Sequence, residues 1–275
     1  MTKTDEIYCS LLKSIMSTGQ RVPCRNGSTF RSFTLPTVVF DSTPLVTVRK
    51  TSWHKAIEEM EWFLSGDPTC PANLLDWWEG QLNNENRYLA GYGEQLRKFL
   101  GADSQFDQII ALINGLRSNP FSREHVITTW NPLDMAIIKK INNNERTPAC
   151  CHTTIAQFFV SKTGMLSMRS YQRSADMLLG APHNWIQSWA LLLWVAAKTG
   201  YVADMLLWTF GDAHVYTHIS HLVTIDQILD IKLPLISSAP RLIYNGGINS
   251  DFRAADFEMI GAVPEPVVLI RPKLL

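Results

Sequence analysis

Between Met177 and Ala197 the chain carries no Asp, Glu, Lys or Arg, and this uncharged stretch constrains the fold more than any other feature. From Trp185 it reads WIQSWALLLWVAA, apolar around nearly the whole circumference of a helix. Such a helix must be surrounded by protein or lipid. A bilayer needs about 20 continuous apolar residues, whereas Gly180, Pro182, His183, Asn184 and Gln187 interrupt this stretch. The reading is a buried central helix, which needs other layers packed around it. The sequence can supply them: 275 residues, 46% apolar and 18% charged, suffice for a large core without disulfides. No repeat, low-complexity block or Pro/Gly/Ser linker divides the sequence, so residues 1–275 are expected to form one domain.

Flanking segments supply the layers. MTKTDEIYCSLLKSIMSTG has apolar residues at helical spacing and charges at both ends, which fits an amphipathic first helix rather than a signal peptide. TLPTVVF and LVTVRK read as extended, joined by the turn-like DSTP, and TSWHKAIEEMEWFLSG reads as a helix stopped at Gly66. Polar residues from Gly66 to Gly91 suggest a surface or active-site excursion. Residues 104–118 suit a helix; HVITTW, AQFFVS, MLSMRSYQ and DMLLWTF suit strands, the last ending at a polar turn at Gly211 and Asp212. The predicted class is α+β, a mixed β-sheet packed on a long central helix.

Charge and cysteine usage narrow the partners. With 25 basic and 25 acidic residues there is no general attraction to nucleic acid or membrane, so any anion site is local. The five cysteines (Cys9, Cys24, Cys70, Cys150, Cys151) form no CxxC pair, which points away from a metal cage and towards a reduced, cytoplasmic chain, in a host's cytoplasm if the source is viral. No glycine-rich phosphate loop occurs, so a bound phosphate must be held by arginines.

Three polar clusters carry candidate chemistry. TPACCHTT sets two thiols beside a histidine; a thiol becomes a useful nucleophile where positive charge or hydrogen bonds stabilise its thiolate, although on its own this pair reads more simply as two small buried cysteines. SYQRSADMLLGAPHN concentrates Gln172, Arg173, Ser174, Asp176 and Asn184 beside an apolar helix, a polar density that needs ligands or partners. GDAHVYTH places His214 and Tyr216 two apart, on one face of an extended segment, where they can grip a single hydroxyl or form an ordinary turn pair. Elsewhere Glu59 belongs to a charge run that fits a solvated helix face, Trp78 beside Trp77 suits a core, and Arg25 and Arg49 suit the surface.

Taken in order, CHxxxxQFFV, YQRSADMLLGxPHN and GDAHVY, with CRNGSTF, PLVTVRK, EEMEWFLSGD and GYGEQLR before them, resemble the thymidylate synthase family over roughly residues 5 to 260. The resemblance implies that fold, a homodimer built on one sheet face, and one-carbon transfer to dUMP from 5,10-methylenetetrahydrofolate without a metal. Cys151 then adds to C6 of the pyrimidine, and Arg173 touches both phosphate and thiolate, lowering the thiol's pKa. Arg25, Gln172, Arg173 and Ser174 hold the nucleotide, and Arg123 reaches the partner's phosphate site. His214 and Tyr216 take the sugar 3′-hydroxyl. Asn184 reads the base, matching uracil where an aspartate is expected to favour cytosine. Glu59 and Tyr92 serve proton transfer, Asp176 meets the pterin, Trp78 stacks near it, and Arg49 meets the folate's glutamate tail.

Departures from the family pattern bear on the product. Cys150 stands where proline ordinarily precedes the nucleophile, Glu124 replaces one of two cross-subunit arginines, His183 replaces a phenylalanine, and the ending EPVVLIRPKLL differs from the usual tail. With the folate side altered and the uracil reader kept, the expectation leans to 5-hydroxymethyl-dUMP, water finishing the reaction as in phages that modify their DNA. Thymidylate formation is the alternative, and a catalytically silent nucleotide- or RNA-binding protein a third reading. In the hydroxymethylase reading His183 is a candidate to orient the water, with a packing residue as the other reading.

Overall fold

Helix α1 (Lys3–Thr18) begins in a capping box: Thr2 accepts from the Asp5 amide, and Asp5 accepts from the Thr2 amide. In the computed structural model, which describes residues 1–24, 27–99, 106–134, 150–232, 234, 236 and 238–266, this helix leads into a sheet. Its strands are β1 (Gln20–Cys24), β2 (Gly27–Ser32), β3 (Val38–Phe40), β4 (Val126–Thr128), β5 (Ile155–Val160), β6 (Met165–Asp176) and β7 (Val202–Tyr216). The order is β1-β2-β7-β6-β5-β4, with β3 pairing β7 beyond the end of β2. Only β6 and β7 run parallel; the remaining pairs are antiparallel, so the α+β mixed sheet expected from the sequence is present.

Parallel neighbours need a crossover, and the crossover is the uncharged segment. It forms α5 (Ala181–Thr199), stopped by Gly200 in the left-handed region at φ 77°. Trp185, Ile186, Ala190, Leu191, Leu192 and Val195 are fully buried. The remaining helices are α2 (Trp53–Ser65), α3 (Tyr92–Arg97), α4 (Gln108–Ser118) and α6 (Ile219–Leu229); β8 (Arg241–Tyr244) and β9 (Phe257–Ile260) form a separate hairpin pair. Among the described residues no helix is long and apolar enough to cross a membrane.

Two local expectations are corrected. LVTVRK is buried up to Arg49 but joins no strand of the sheet: the Asp5 carboxylate accepts from the amides of Thr47 (2.6 Å) and Val48 (3.2 Å) and from the Thr47 hydroxyl (2.7 Å). A side chain thus satisfies backbone donors that a ladder otherwise would. There is also no turn at Gly211 and Asp212, because β7 continues through both. A Cβ at Gly211 would stand 2.5 Å from the Tyr171 hydroxyl and 2.7 Å from the Arg173 carbonyl, so this glycine permits close approach of β6 rather than a reversal.

The sheet's two faces differ. The side carrying Ala156, Phe158, Met168, Leu206 and Trp208 is buried. On the other, Ile155, Phe159 and Tyr171 are exposed, Phe159 at 65%.

Candidate active site

The site gathers where the C-terminal end of β6 meets the start of α5, around the segment that opens with Cys150. The Tyr92 hydroxyl donates to Cys151 Sγ at 3.3 Å and accepts from the amides of Cys151 (2.7 Å) and His152 (3.3 Å). One phenol therefore fixes both the thiol and the backbone that carries it. Thr153 follows with φ 48°, left-handed geometry that is uncommon for a threonine and marks a tightly constrained loop. From β6 the Ser174 amide donates to the Cys151 carbonyl at 3.3 Å, and Arg173 Nε donates to the Cys150 carbonyl at 3.4 Å. The Arg173 guanidinium lies 4.9 Å from the Trp130 ring centroid.

The two adjacent thiols have different surroundings. Cys150 is 2% exposed and meets the Tyr88 hydroxyl at 3.7 Å; burial pushes its pKa up to about 12, against the Tyr88 hydrogen bond. Cys151 is only partly covered. Its pKa also lies above the ordinary thiol value, because burial outweighs the Tyr92 hydrogen bond and the Arg173 charge, both of which favour the thiolate. Arg173 thus acts on the thiol in the expected direction, while burial sets the net shift. His152, depressed to about 3 by burial, is neutral and stacks on Tyr92 at 4.5 Å.

A chain of amides leads from the core to Asn184. Trp208 Nε1, which can only donate, donates to Gln172 Oε1 at 2.9 Å, so Gln172 turns its Nε2 towards Asn184 Oδ1 at 3.0 Å. Gln172 also donates to the Ser174 carbonyl at 3.2 Å, tying this chain to the thiol loop. Asn184 is thereby oriented, with one Oδ1 lone pair and its Nδ2 donors left over. Its remaining pattern, one acceptor beside one donor, complements the N3–H and O4 of uracil; cytosine needs the reverse.

Glu59 on α2 is buried, contrary to a solvated charge run, and accepts from Trp78 Nε1 (2.6 Å) and from Gln187 Nε2 (2.9 Å). Burial raises its pKa to about 7 despite both hydrogen bonds. Trp78 is buried among Trp62, Phe63 and Tyr88, with its N–H committed to Glu59. Asp176 Oδ1 caps the turn before α5, accepting from Leu178 and Leu179 at 3.0 Å each, while its buried Oδ2 has no hydrogen-bond partner. Arg49, 3% exposed, likewise has Nε and Nη1 without partners, and Asp176 and Tyr8 are close enough to act on its charge. Its guanidinium is therefore an interior group, not the surface arginine that the sequence also allowed.

On β7, His214 and Tyr216 meet edge to face at 5.5 Å, and His214 lies beside Asp176 in the β6–β7 register. Arg123 is exposed on the loop before β4 and contributes only its carbonyl, to Gln157 Nε2 at 3.0 Å. Nothing within the described chain draws its side chain to the site. Arg25 and the ending from residue 267 lie outside the described residues.

His183 has no ring nitrogen to spare. Nδ1 faces the Leu179 carbonyl at 2.8 Å and therefore carries the proton; Nε2 accepts from the Ser52 amide at 3.2 Å. Burial and the Arg49 charge lower its pKa to about 3. Of the two readings the sequence left open, the packing one fits: His183 is a structural clamp between α5 and the segment leading into α2. Sequence reasoning gave no role to Gln187, Tyr88 and Trp130. Gln187 alone left a signal, an amide one helical turn after Asn184 on an otherwise apolar helix.

Comparison with known proteins matches the thymidylate synthase family model to residues 6–271. The chain belongs to the thymidylate synthase family. Among its relatives are thymidylate synthases from two strains of Cereibacter sphaeroides, 31% and 30% identical, each alignment covering 98% of both chains. Members of the thymidylate synthase family use 5,10-methylenetetrahydrofolate as cosubstrate for one-carbon transfer to dUMP. Among the described residues no group of three or more His, Cys, Asp or Glu side chains is placed to hold a metal.

Proposed function

We propose that this enzyme methylates dUMP to dTMP, with Cys151 as the nucleophile. The observation that carries the reading is the fixed donor chain Trp208→Gln172→Asn184, linked through Ser174 to a thiol that Tyr92 holds. Cys151, not Cys150, is the better nucleophile because it is the less covered of the two and the one that both Tyr92 and Arg173 bias towards thiolate. Its sulfur bonds to C6, and the displaced π electrons leave C5 nucleophilic; the Asn184 amide holds O4, where that charge collects. Tyr92 assists removal of the C5 proton, and Glu59, raised to about 7, exchanges protons near neutrality. His214 and Tyr216 take the 3′-hydroxyl, and Arg25, Arg173 and Ser174 take the phosphate.

The unpartnered Asp176 Oδ2 and Arg49 N–H groups fit a ligand with a donor edge and an anionic or carbonyl acceptor, which suits a folate. When bound, that folate supplies the carbon and, for dTMP, the hydride. Asp176 and Arg49 hold it, and Trp78 supports the wall through Glu59. Arg123 serves a partner's phosphate in a dimer that covers the apolar sheet face. Two observations favour methylation over hydroxymethylation: both nitrogens of His183 are occupied, which leaves it no water to orient, and the curated relatives are named for the methylating reaction.

Product analysis tests this. Turnover of dUMP with 5,10-methylenetetrahydrofolate is expected to give dTMP and dihydrofolate in equal amounts; 5-hydroxymethyl-dUMP without dihydrofolate overturns the methylation reading. With 5-fluoro-dUMP and the folate, a covalent adduct is expected that Cys151→Ser abolishes and Cys150→Ser retains.

A further inference from the structure

Arg31 on β2 lies directly across the ladder from His214 on β7, and it makes a close ion pair with Asp212, two residues earlier on β7. Asp212, His214 and Tyr216 share a face by strand alternation. Asp212 meets His214 in two ways: its carbonyl faces Nδ1 at 3.3 Å, and its Oδ1, which has no hydrogen-bond partner, stands 3.7 Å from the same nitrogen. A carbonyl can only accept, so Nδ1 carries the proton and Nε2 is the nitrogen left for a ligand.

The charges around this imidazole explain why a cation is useful on β2. Asp212 on its own strand and Asp176 on β6 both favour its protonated form, and together with the Asp212 hydrogen bond they outweigh burial, which opposes it; the pKa of His214 sits above the ordinary value. Arg31 is the cation paired with Asp212, and Tyr216, which also packs edge to face on His221 of α6, completes the surround. Without Arg31 the Asp212 carboxylate is free to swing onto Nδ1. That movement would draw a second proton onto the ring and turn Nε2 from acceptor into donor.

We propose that Arg31 is a positioning residue for the sugar: by anchoring the Asp212 carboxylate it holds His214 so that Nε2 accepts from the nucleotide's 3′-hydroxyl. The inference rests on the dUMP reading and adds a residue outside the segments that resemble the family's site motifs. It acts through His214 and touches no substrate itself.

Calorimetric binding of dUMP and of 2′,3′-dideoxyuridine 5′-monophosphate isolates the effect, because the second ligand lacks only the hydroxyl. The wild type is expected to prefer dUMP by about tenfold, the worth of one well-made hydrogen bond. In Arg31→Met that preference falls to below about threefold through weaker dUMP binding alone, with the dideoxy Kd unchanged, while Arg31→Lys recovers most of it. An intact preference in Arg31→Met overturns the proposal, and so does an equal loss for both ligands, the mark of a general disturbance that the unaltered dideoxy Kd otherwise excludes. If the wild type does not bind dUMP at all, the substrate reading falls and takes this inference with it. Binding of dUMP with Arg31→Met weakening both ligands alike defeats the inference only.

Discussion

At the scale of single residues, burial sets the chemistry. Glu59 has its ordinary carboxylate pKa of 4.5 when unfolded and about 7 when folded, raised by burial against two hydrogen bonds. Its native form therefore binds a proton more tightly than its unfolded form. That contribution is complete below pH 4.5 and is lost as pH rises to about 7. Across this interval Glu59 alone should lower stability by about 3 kcal/mol. Urea unfolding of Glu59→Gln at several pH values is expected to lose that part of the slope; an unchanged slope would refute the assignment. The same residue shows how sequence and structure divide the evidence. Glu59 sits in a run with Glu58 and Glu61, and only Trp78, distant in sequence, and Gln187, on another helix, make it a buried acid. Motif resemblance singled out Glu59, whereas local sequence pointed to a solvated face.

Elements were legible where their own residues determine them. Gly66 reads as a helix stop in the sequence and adopts left-handed φ at the end of α2. α5 is apolar all round and is buried all round. That LVTVRK, which reads as extended, joins no ladder is not legible locally, because what satisfies its amides is Asp5, which lies more than forty residues before Thr47. This carboxylate joins the start of α1 to the segment bearing Arg49 and has four donors: the amides of Thr2, Thr47 and Val48 and the Thr47 hydroxyl. Asp5→Ala leaves them buried and unpaired, which should cost roughly 3 kcal/mol and lower Tm by about 5–10 °C. Folate KM should rise with little change in dUMP KM, because Arg49 loses its support while the thiol loop does not. Thermal melts and steady-state kinetics measure both.

The whole molecule presents an uneven surface. One side of the sheet is covered by helices, while the other exposes Ile155, Phe159 and Tyr171 on adjoining strands, a contiguous apolar group of the kind that marks an interaction face. A twofold partner on that face would also bring Arg123 to another chain's site. Phe159→Asp is expected to shift the sedimenting species from dimer to monomer and to reduce kcat/KM by at least about tenfold, since each site then lacks its cross-subunit cation. A fully active monomer would refute the shared-site arrangement. The strand order has a consequence for biosynthesis. β2, paired first with β1, finds its second neighbour only in β7, after residue 202, and the uncharged helix, which also packs on α2, gains its cover from the parallel β6–β7 pair equally late. On the ribosome, the N-terminal hairpin and the uncharged helix must both wait until residue 216 has emerged. During that interval the nascent chain leaves part of its greasiest segment open to solvent, and holdase chaperones gain the most by binding there.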